Sequence, residues 1–459
     1  MSESTIAAIS TGPIAAGIAV IRISGEESIK IADRIFVSYK GKTVKSMQGY
    51  SCAYGYIKDE KEEKTDDVIL TLFKAPNSYT GEDVVEISCH GGVYITKKIL
   101  EIILSNGAKL ALPGEFTKRA FLNNKMDLTK SEAVIDLINA SSEKSARFAK
   151  NMYSGKLYQK IKVIINEISD LCSHLEAWAD YPDEDIETIN KEQLKDRLSD
   201  IENMLFELIK NYDNGKIIKD GINTTIIGKA NVGKSTLMNW LAGFERSIVT
   251  DIPGTTRDTV EESIVIDDIR LNIADTAGIR DSEDVVEQIG VKRALEKLTQ
   301  ADLVLALFDH SLPLSKKDYD VIKSIKDIGN TPVIAIINKT DLNKELDCDF
   351  IENNFDKVVY ISAQRETGFE DFKKALFSVF DLSFAENADF IMLNERQKQA
   401  VINSYRNVEN AAETLEMDLT FDAVTVCLEE AVSELLELTG ERVSDVIVDR
   451  IFSRFCVGK

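Results

Sequence analysis

The sequence predicts a multidomain α/β protein: a small α+β domain, a helical bundle domain in two separated pieces, and an α/β domain built on a phosphate loop inserted between those pieces. Three observations carry this. Thr224–Asn239 reads TTIIGKANVGKSTLMN, a β-branched run that breaks into glycine, lysine and serine and then into a helical pattern. Residues 1–124 mix alternating strand patterns with two helical ones. Long amphipathic patterns fill Lys125 to about Lys210 and return from Ala385 to Ser453, and neither stretch can bury its apolar face alone. The expected parts are 1–124, 125–217, 218–382 and 383–459.

At 459 residues the chain has room for about three domains, and 44% hydrophobic residues supply their cores. No apolar run approaches the roughly 20 residues of a membrane span, and Met1–Ser10 lacks the pattern of a secretory signal. The expectation is a soluble, cytoplasmic protein with no membrane partner. A formal charge of −22 speaks against a wide grip on a nucleic-acid backbone, so any nucleic acid would be shared with a basic partner. Solubility is the plainer reading of the same charge. Six cysteines without a CxxC pair and three histidines suggest neither a disulfide framework nor a zinc site.

In the first part, Gly17–Ile23, Val68–Lys74 and Val84–Ser88 read as strands and Thr96–Ser105 as a helix. Ser78-Tyr79-Thr80-Gly81-Glu82-Asp83 leads into the strand that ends at His90-Gly91-Gly92, and Pro113-Gly114-Glu115-Phe116 opens a turn into a helix. His90 reads as a turn residue. The helical pattern that follows uses Leu128, Ala133, Val134, Leu137 and Ile138, then Ile161, Val163, Ile164, Ile168, Leu171 and Leu175. Its one clear break is Tyr181-Pro182-Asp183-Glu184-Asp185.

In the inserted part, Gly228 and Gly233 let successive backbone N–H groups curl inward while the helix opening near Lys234 adds its positive end, a nest for polyphosphate. Lys234 would reach the β- and γ-phosphates, and the Ser235 hydroxyl would ligate Mg²⁺. Asp275-Thr276-Ala277-Gly278 follows the strand Leu271–Ala274, with a carboxylate for the metal's outer shell and a glycine amide for the γ-phosphate. Asn338-Lys339-Thr340-Asp341 closes the strand Val333–Ile337; the Asp341 carboxylate matches the ring N–H and amine of guanine, an arrangement adenine does not offer. Ser362-Ala363-Gln364 after Val358–Ile361 would add main-chain contacts to the guanine oxygen. The ordered set reads as a Ras-like P-loop domain that binds GTP.

Further stretches carry a resemblance: AVIRISG, SYTGEDVVEISCHGG, PGEFTKRAFLNNKMDL, TDIPGTTRD, DTAGIR followed by Glu287, and FCVGK. Over nearly the whole chain the sequence resembles the bacterial tRNA wobble-uridine modification GTPase family. The resemblance implies a homodimer that works with an FAD-dependent partner protein on tRNA. That assembly would install an aminomethyl or carboxymethylaminomethyl group on carbon 5 of the wobble uridine, using a carbon borne by a reduced folate (5-formyl- or methylene-tetrahydrofolate). GTP contacts would run over Asn231, Val232, Gly233, Lys234, Ser235 and Thr236, and over Thr250, Asp251, Ile252, Pro253, Gly254, Thr255 and Thr256. Thr256 would join Ser235 on Mg²⁺. Asn231, Thr250, Ile252 and Thr255 would hold a potassium ion that takes the place of an arginine finger. Ile279 stands where Ras-like switches carry a water-orienting glutamine, and the resemblance gives that role to Glu287. Without it, Glu287 is an acid among others on an exposed helix and Asn231 a residue tolerant of a tight turn.

The folate ligands implied are Arg22, Glu86, Lys125 and Lys459, on a folate-binding-like first domain. A carboxylate such as Glu86 can receive the amine and ring N–H of a pterin, and the folate glutamate tail needs cations. By residue type alone, Arg22 and Glu86 are charged strand residues facing solvent. Cys456 is open to two readings, a nucleophile near the transferred carbon or a small thiol that packs. From another class, a non-enzymatic GTP-timed RNA or ribosome assembly switch would show a basic appendage, and none is visible in the sequence.

Overall fold

The computed structural model describes residues 4–180, 191–210, 212–244, 262–267, 269–274, 301–327, 329, 331–380, 394–417 and 420–459. Two compact units emerge, Met1–Ile135 with Met152–Glu202 and Asn403–Lys459, and Asp136–Asn151 with Asn203–Ile402.

The first part of the chain runs β1 (Ile6–Ile9), β2 (Ile18–Ser24), α1 (Ser28–Ile35), β3 (Phe36–Ser38), β4 (Ser51–Lys58), β5 (Lys64–Phe73), β6 (Val84–His90), α2 (Val93–Ser105), β7 (Lys109–Leu110) and α3 (Glu115–Leu122). The strands form one sheet in the order β3-β4-β5-β6-β2-β1-β7. Alternation decides its faces: Ile21, Ile23, Leu70, Leu72, Val85 and Ile87 share a core with Ile31, Ile35, Ile99 and Ile103 of α1 and α2. Arg22 and Glu86, directly opposite each other in the β2–β6 register, point to the other face. There Ile6 and Ala8 of β1 pack on Phe116 of α3.

The helical run is more broken than its sequence pattern suggests, with α4 (Leu128–Asn139), α5 (Glu143–Tyr153), α6 (Lys156–Asp180), α7 (Lys191–Lys210) and α8 (Tyr212–Asp220). Tyr181–Asp185 lies outside the described residues. Two further breaks have local causes. Ser142 and Ser145 exchange side-chain to backbone hydrogen bonds (3.0 and 3.2 Å) that cap the start of α5. Gly155, at φ +86°, ends α5. Val163, which the pattern places on the buried face, is 54% exposed.

The inserted domain contains β8 (Ile222–Ile227), α9 (Lys234–Phe244), β9 (Glu262–Ile266), β10 (Ile269–Ala274), β11 (Leu303–Asp309), α10 (Lys316–Lys326), β12 (Val333–Asn338), α11 (Cys348–Glu352), β13 (Val358–Tyr360) and α12 (Phe369–Phe380). Its sheet order is β13-β12-β11-β8-β10-β9, parallel except for the β9–β10 pair. Every residue of β11 is buried, as a central strand covered on both faces requires. Ligands in such sheets bind beyond the carboxyl ends of the strands, where Ile227, Asp309, Asn338 and Tyr360 lie.

The chain then returns to helices α13 (Glu395–Glu416), α14 (Phe421–Thr439) and α15 (Asp445–Phe452). Within the first unit α14 packs along α6, burying Val424, Leu428, Ala431, Leu435 and Leu438 at helical spacing. Helix α15 packs on α3. Val448, Phe452 and Phe455 share a small core with Leu128, Val134 and Phe121.

Candidate functional site

The phosphate loop leaves β8 at Ile227 and enters α9 at Lys234. A side chain at Gly228 would come within 2.7 Å of the Leu307 carbonyl, and one at Gly233, which sits at φ +102°, would collide with the Asn338 amide. Only glycine fits either place. Lys234 starts α9 and donates to the carbonyl oxygens of Gly228 (2.7 Å) and Lys229 (3.0 Å), so its ammonium lies against the loop. Ser235 and Thr236 are exposed in the first helical turn. This glycine-lined cradle with a cation and a hydroxyl at a helix start suits a polyphosphate and its Mg²⁺.

The loop Asn338–Asp341 is tied to this cradle. Asn338 is buried; its Nδ2 donates to the Val232 carbonyl (2.9 Å) and its Oδ1 accepts from the Ala363 amide (3.0 Å). Lys339 donates to the Asn231 carbonyl (2.8 Å) and to Asp309 Oδ2 (2.6 Å). Asp341 is exposed, and the Ser362 hydroxyl donates to its Oδ1 at 2.7 Å. That bond holds the Asp341 carboxyl below the usual carboxylate range. Gln364 is exposed beside it. Thr250, Asp251, Ile252, Pro253, Gly254, Thr255, Thr256, Asp275, Thr276, Ala277, Gly278 and Glu287 lie outside the described residues. Sequence reasoning missed two buried acids, Asp309 and Asp318; Lys229 of the phosphate loop pairs with Asp318 at 2.9 Å. Asp309 had a signal, an acid closing a fully apolar strand.

The first unit gathers a second set. Arg22 donates to Glu86 through Nε (2.9 Å) and Nη2 (2.8 Å). Its guanidinium lies 5.2 Å from the ring centre of Tyr79 and 5.6 Å from that of Phe116. Nη1 is buried and has no hydrogen-bond partner among the described residues. Lys459 belongs to the same group: burial and then the Arg22 charge push its pKa down, opposed by Glu86 and Cys456. Backbone bonds bring it there. The Gly114 amide donates to the Cys456 carbonyl (3.3 Å), the Phe116 amide to the Lys459 carbonyl (3.2 Å), and the Ser10 hydroxyl to the Gly458 carbonyl (3.1 Å). Lys125 donates to the Pro76 carbonyl at 2.8 Å. His90 closes β6 rather than a turn, with Nδ1 2.6 Å from Asp66.

No helix among the described residues is long and apolar enough to cross a membrane. Residues 5–125 match the family description "GTP-binding protein TrmE N-terminus", and residues 128–456 match "MnmE helical domain". The tRNA modification GTPase MnmE of Clostridioides difficile is 42% identical over 462 residues, covering 100% of this chain and 99% of that protein. The protein of that name from Thermoanaerobacter pseudethanolicus is 41% identical over 463 residues, covering 99% of each. A crystal structure of a Tyr-to-Ala variant of Aquifex aeolicus Era bound to GDP.AlF4- is similar over 40% of this chain and 66% of that one, at 28% identity and a TM-score of 0.28. With both family descriptions matched in order and full-length relatives above 40% identity, the chain belongs to the MnmE family of tRNA modification GTPases.

Proposed function

We propose that this tRNA modification GTPase hydrolyses GTP in a potassium-dependent way and, with an FAD-dependent partner, adds an aminomethyl or carboxymethylaminomethyl group to carbon 5 of the wobble uridine with a folate-borne carbon. The chain works as a cytoplasmic homodimer, in parts bounded near residues 124, 217 and 382. Lys234 and the Gly228–Gly233 amides, that of Val232 among them, bind the phosphates, with Thr236 following in the first helical turn. Asp341 reads guanine, supported by Ser362, Ala363 and Gln364. Ser235 and Thr256 would hold Mg²⁺, with Asp275 to Gly278 beside the γ-phosphate. Asn231, Thr250, Ile252 and Thr255 would hold K⁺, which would supply positive charge between the β- and γ-phosphates. Glu287 orients the attacking water.

One observation carries the folate half of this reading. Arg22 keeps a buried donor, Nη1, without a partner among the described residues, beside Glu86 and Lys459. Buried donors left unmade are costly, and an anionic or carbonyl group of a reduced folate would satisfy this one while Glu86 receives the pterin N–H groups. Calorimetry with 5-formyl-tetrahydrofolate tests it on the full chain. Arg22→Ala, Glu86→Ala, Lys125→Ala and Lys459→Ala should each weaken binding while GTP affinity holds, and undiminished binding in all four removes the folate site. Hydrolysis rates in potassium against sodium, with Glu287→Ala as the slow variant, test the other half independently.

A further inference from the structure

We propose that Asp309 is a positioning residue for guanine-nucleotide binding, acting through Lys339 on the phosphate loop. Asp309 closes β11 and faces Asn338 in the β11–β12 register. It is 1% exposed, and its side-chain hydrogen bonds go to Ser311 and Lys339. Its Oδ1 is occupied by the Ser311 amide (2.9 Å) and hydroxyl (2.7 Å), which fixes the plane of the carboxylate. The remaining oxygen takes the Lys339 ammonium at 2.6 Å. That ammonium also reaches the Asn231 carbonyl at 2.8 Å. One cation thus joins the base-reading loop to the phosphate loop, and one buried carboxylate determines where the cation stands.

The backbone shows why the tie is needed. Asn231 sits at φ +63° and Lys339 at φ +65°, a left-handed region sparsely populated by residues other than glycine. Asparagine tolerates that region, but lysine does not, so the Lys339 end of the bond is held in a conformation the chain would leave if released. A carbonyl acceptor leaves the ammonium's charge uncompensated, whereas the bond to the Asp309 carboxylate pairs it with an opposite charge as well as a hydrogen-bond acceptor. Asp309 supplies that second bond, and with it the register between phosphate and base contacts.

This inference rests on the two loops being the guanine-nucleotide site. The test measures affinity of the full chain for fluorescent N-methylanthraniloyl-GDP, with thermal melting as a fold control. Asp309→Asn keeps shape and loses charge. It should weaken binding by about tenfold, the loss of one charge-assisted bond. Lys339→Met should weaken it at least as much, and the double variant no more than Lys339→Met alone, because Asp309 acts only through Lys339. Asp309→Glu, which keeps charge and disturbs packing, should bind more tightly than Asp309→Asn; a packing role predicts the reverse order. Wild-type affinity in Asp309→Asn, or losses that multiply in the double variant, overturns the inference. If Asp309→Asn does not fold, wild-type affinity in Lys339→Met overturns it equally. Asp341→Asn separates the two claims. If it too binds as wild type, the nucleotide site is misassigned; if it weakens while Asp309→Asn does not, only the positioning role falls.

Discussion

Asp341 is exposed, yet its carboxylate is fixed by one hydroxyl, that of Ser362. An exposed side chain held this way can read a base, because the orientation of its two oxygens is set before ligand arrives. Asp341→Asn should weaken GTP by at least about tenfold, since one acceptor is replaced by a donor facing the guanine amine. It should also turn preference toward xanthosine triphosphate, and competition binding between the two nucleotides measures both effects. The motifs that hold Asp341, Lys234 and Ser235 are legible in sequence because each lies in a short window of fixed spacing. Asp309 is not, and Arg22 is not by residue type alone. Asp309 acts through a lysine supplied by the neighbouring strand, and the significance of Arg22 lies in one guanidinium nitrogen that only the packing of Tyr79, Phe116 and Glu86 isolates.

At the scale of elements, the start of α10 does two tasks. Asp318 Oδ2 accepts from the Ser315 amide (2.8 Å) and hydroxyl (2.7 Å), closing the first turn of the helix. The same oxygen accepts from Lys229 of the phosphate loop at 2.9 Å. Burial opposes ionisation of Asp318, but Ser315 and Lys229 outweigh it and hold the pKa below the usual carboxylate value. A carboxyl whose folded pKa is depressed stabilises the fold above its unfolded pKa of about 3.9 and loses that contribution as pH falls toward the folded value. Asp318→Asn should therefore destabilise by roughly 1–3 kcal/mol at neutral pH and show a shallower loss of stability below about pH 4. Denaturant titrations across that range decide it. The strands β2, β5, β6, β8, β10, β12 and β13 are legible from alternation or apolar runs. β1, β3 and β7 are not, because two to four residues give no period and their place comes from pairing. The breaks at Ser142 and Gly155 are not legible, because an isolated glycine or serine is tolerated inside a helical pattern.

At the scale of the molecule, the first unit is completed by the segment after α15. Gly458 sits at φ +95°, and a side chain there would run into the Ile9 carbonyl. Gly458→Ala is strained by about 1–3 kcal/mol on conformation alone, so the segment should release. The expected readouts are protease cleavage after Phe455 and loss of 5-formyl-tetrahydrofolate affinity, with nucleotide affinity unchanged; retained folate affinity would mean that Lys459 takes no part. The helical texture on both sides of the phosphate-loop domain made the insertion legible. The docking of 456–459 beside Arg22 was not, since it depends on where Ser10 and Gly114 are carried by other elements.

That docking also imposes an order on biosynthesis. Phe121 and Leu128 emerge from the ribosome early, but Val448, Phe452 and Phe455, which cover them, are translated only after the whole inserted domain. Domains generally fold as units during synthesis, so the nucleotide-binding domain reaches its own fold while its host still stands open. The half of the protein that is begun first is the half that is finished last, and the apolar surface around Phe121 and Leu128 lacks its cover until the α15 segment is made.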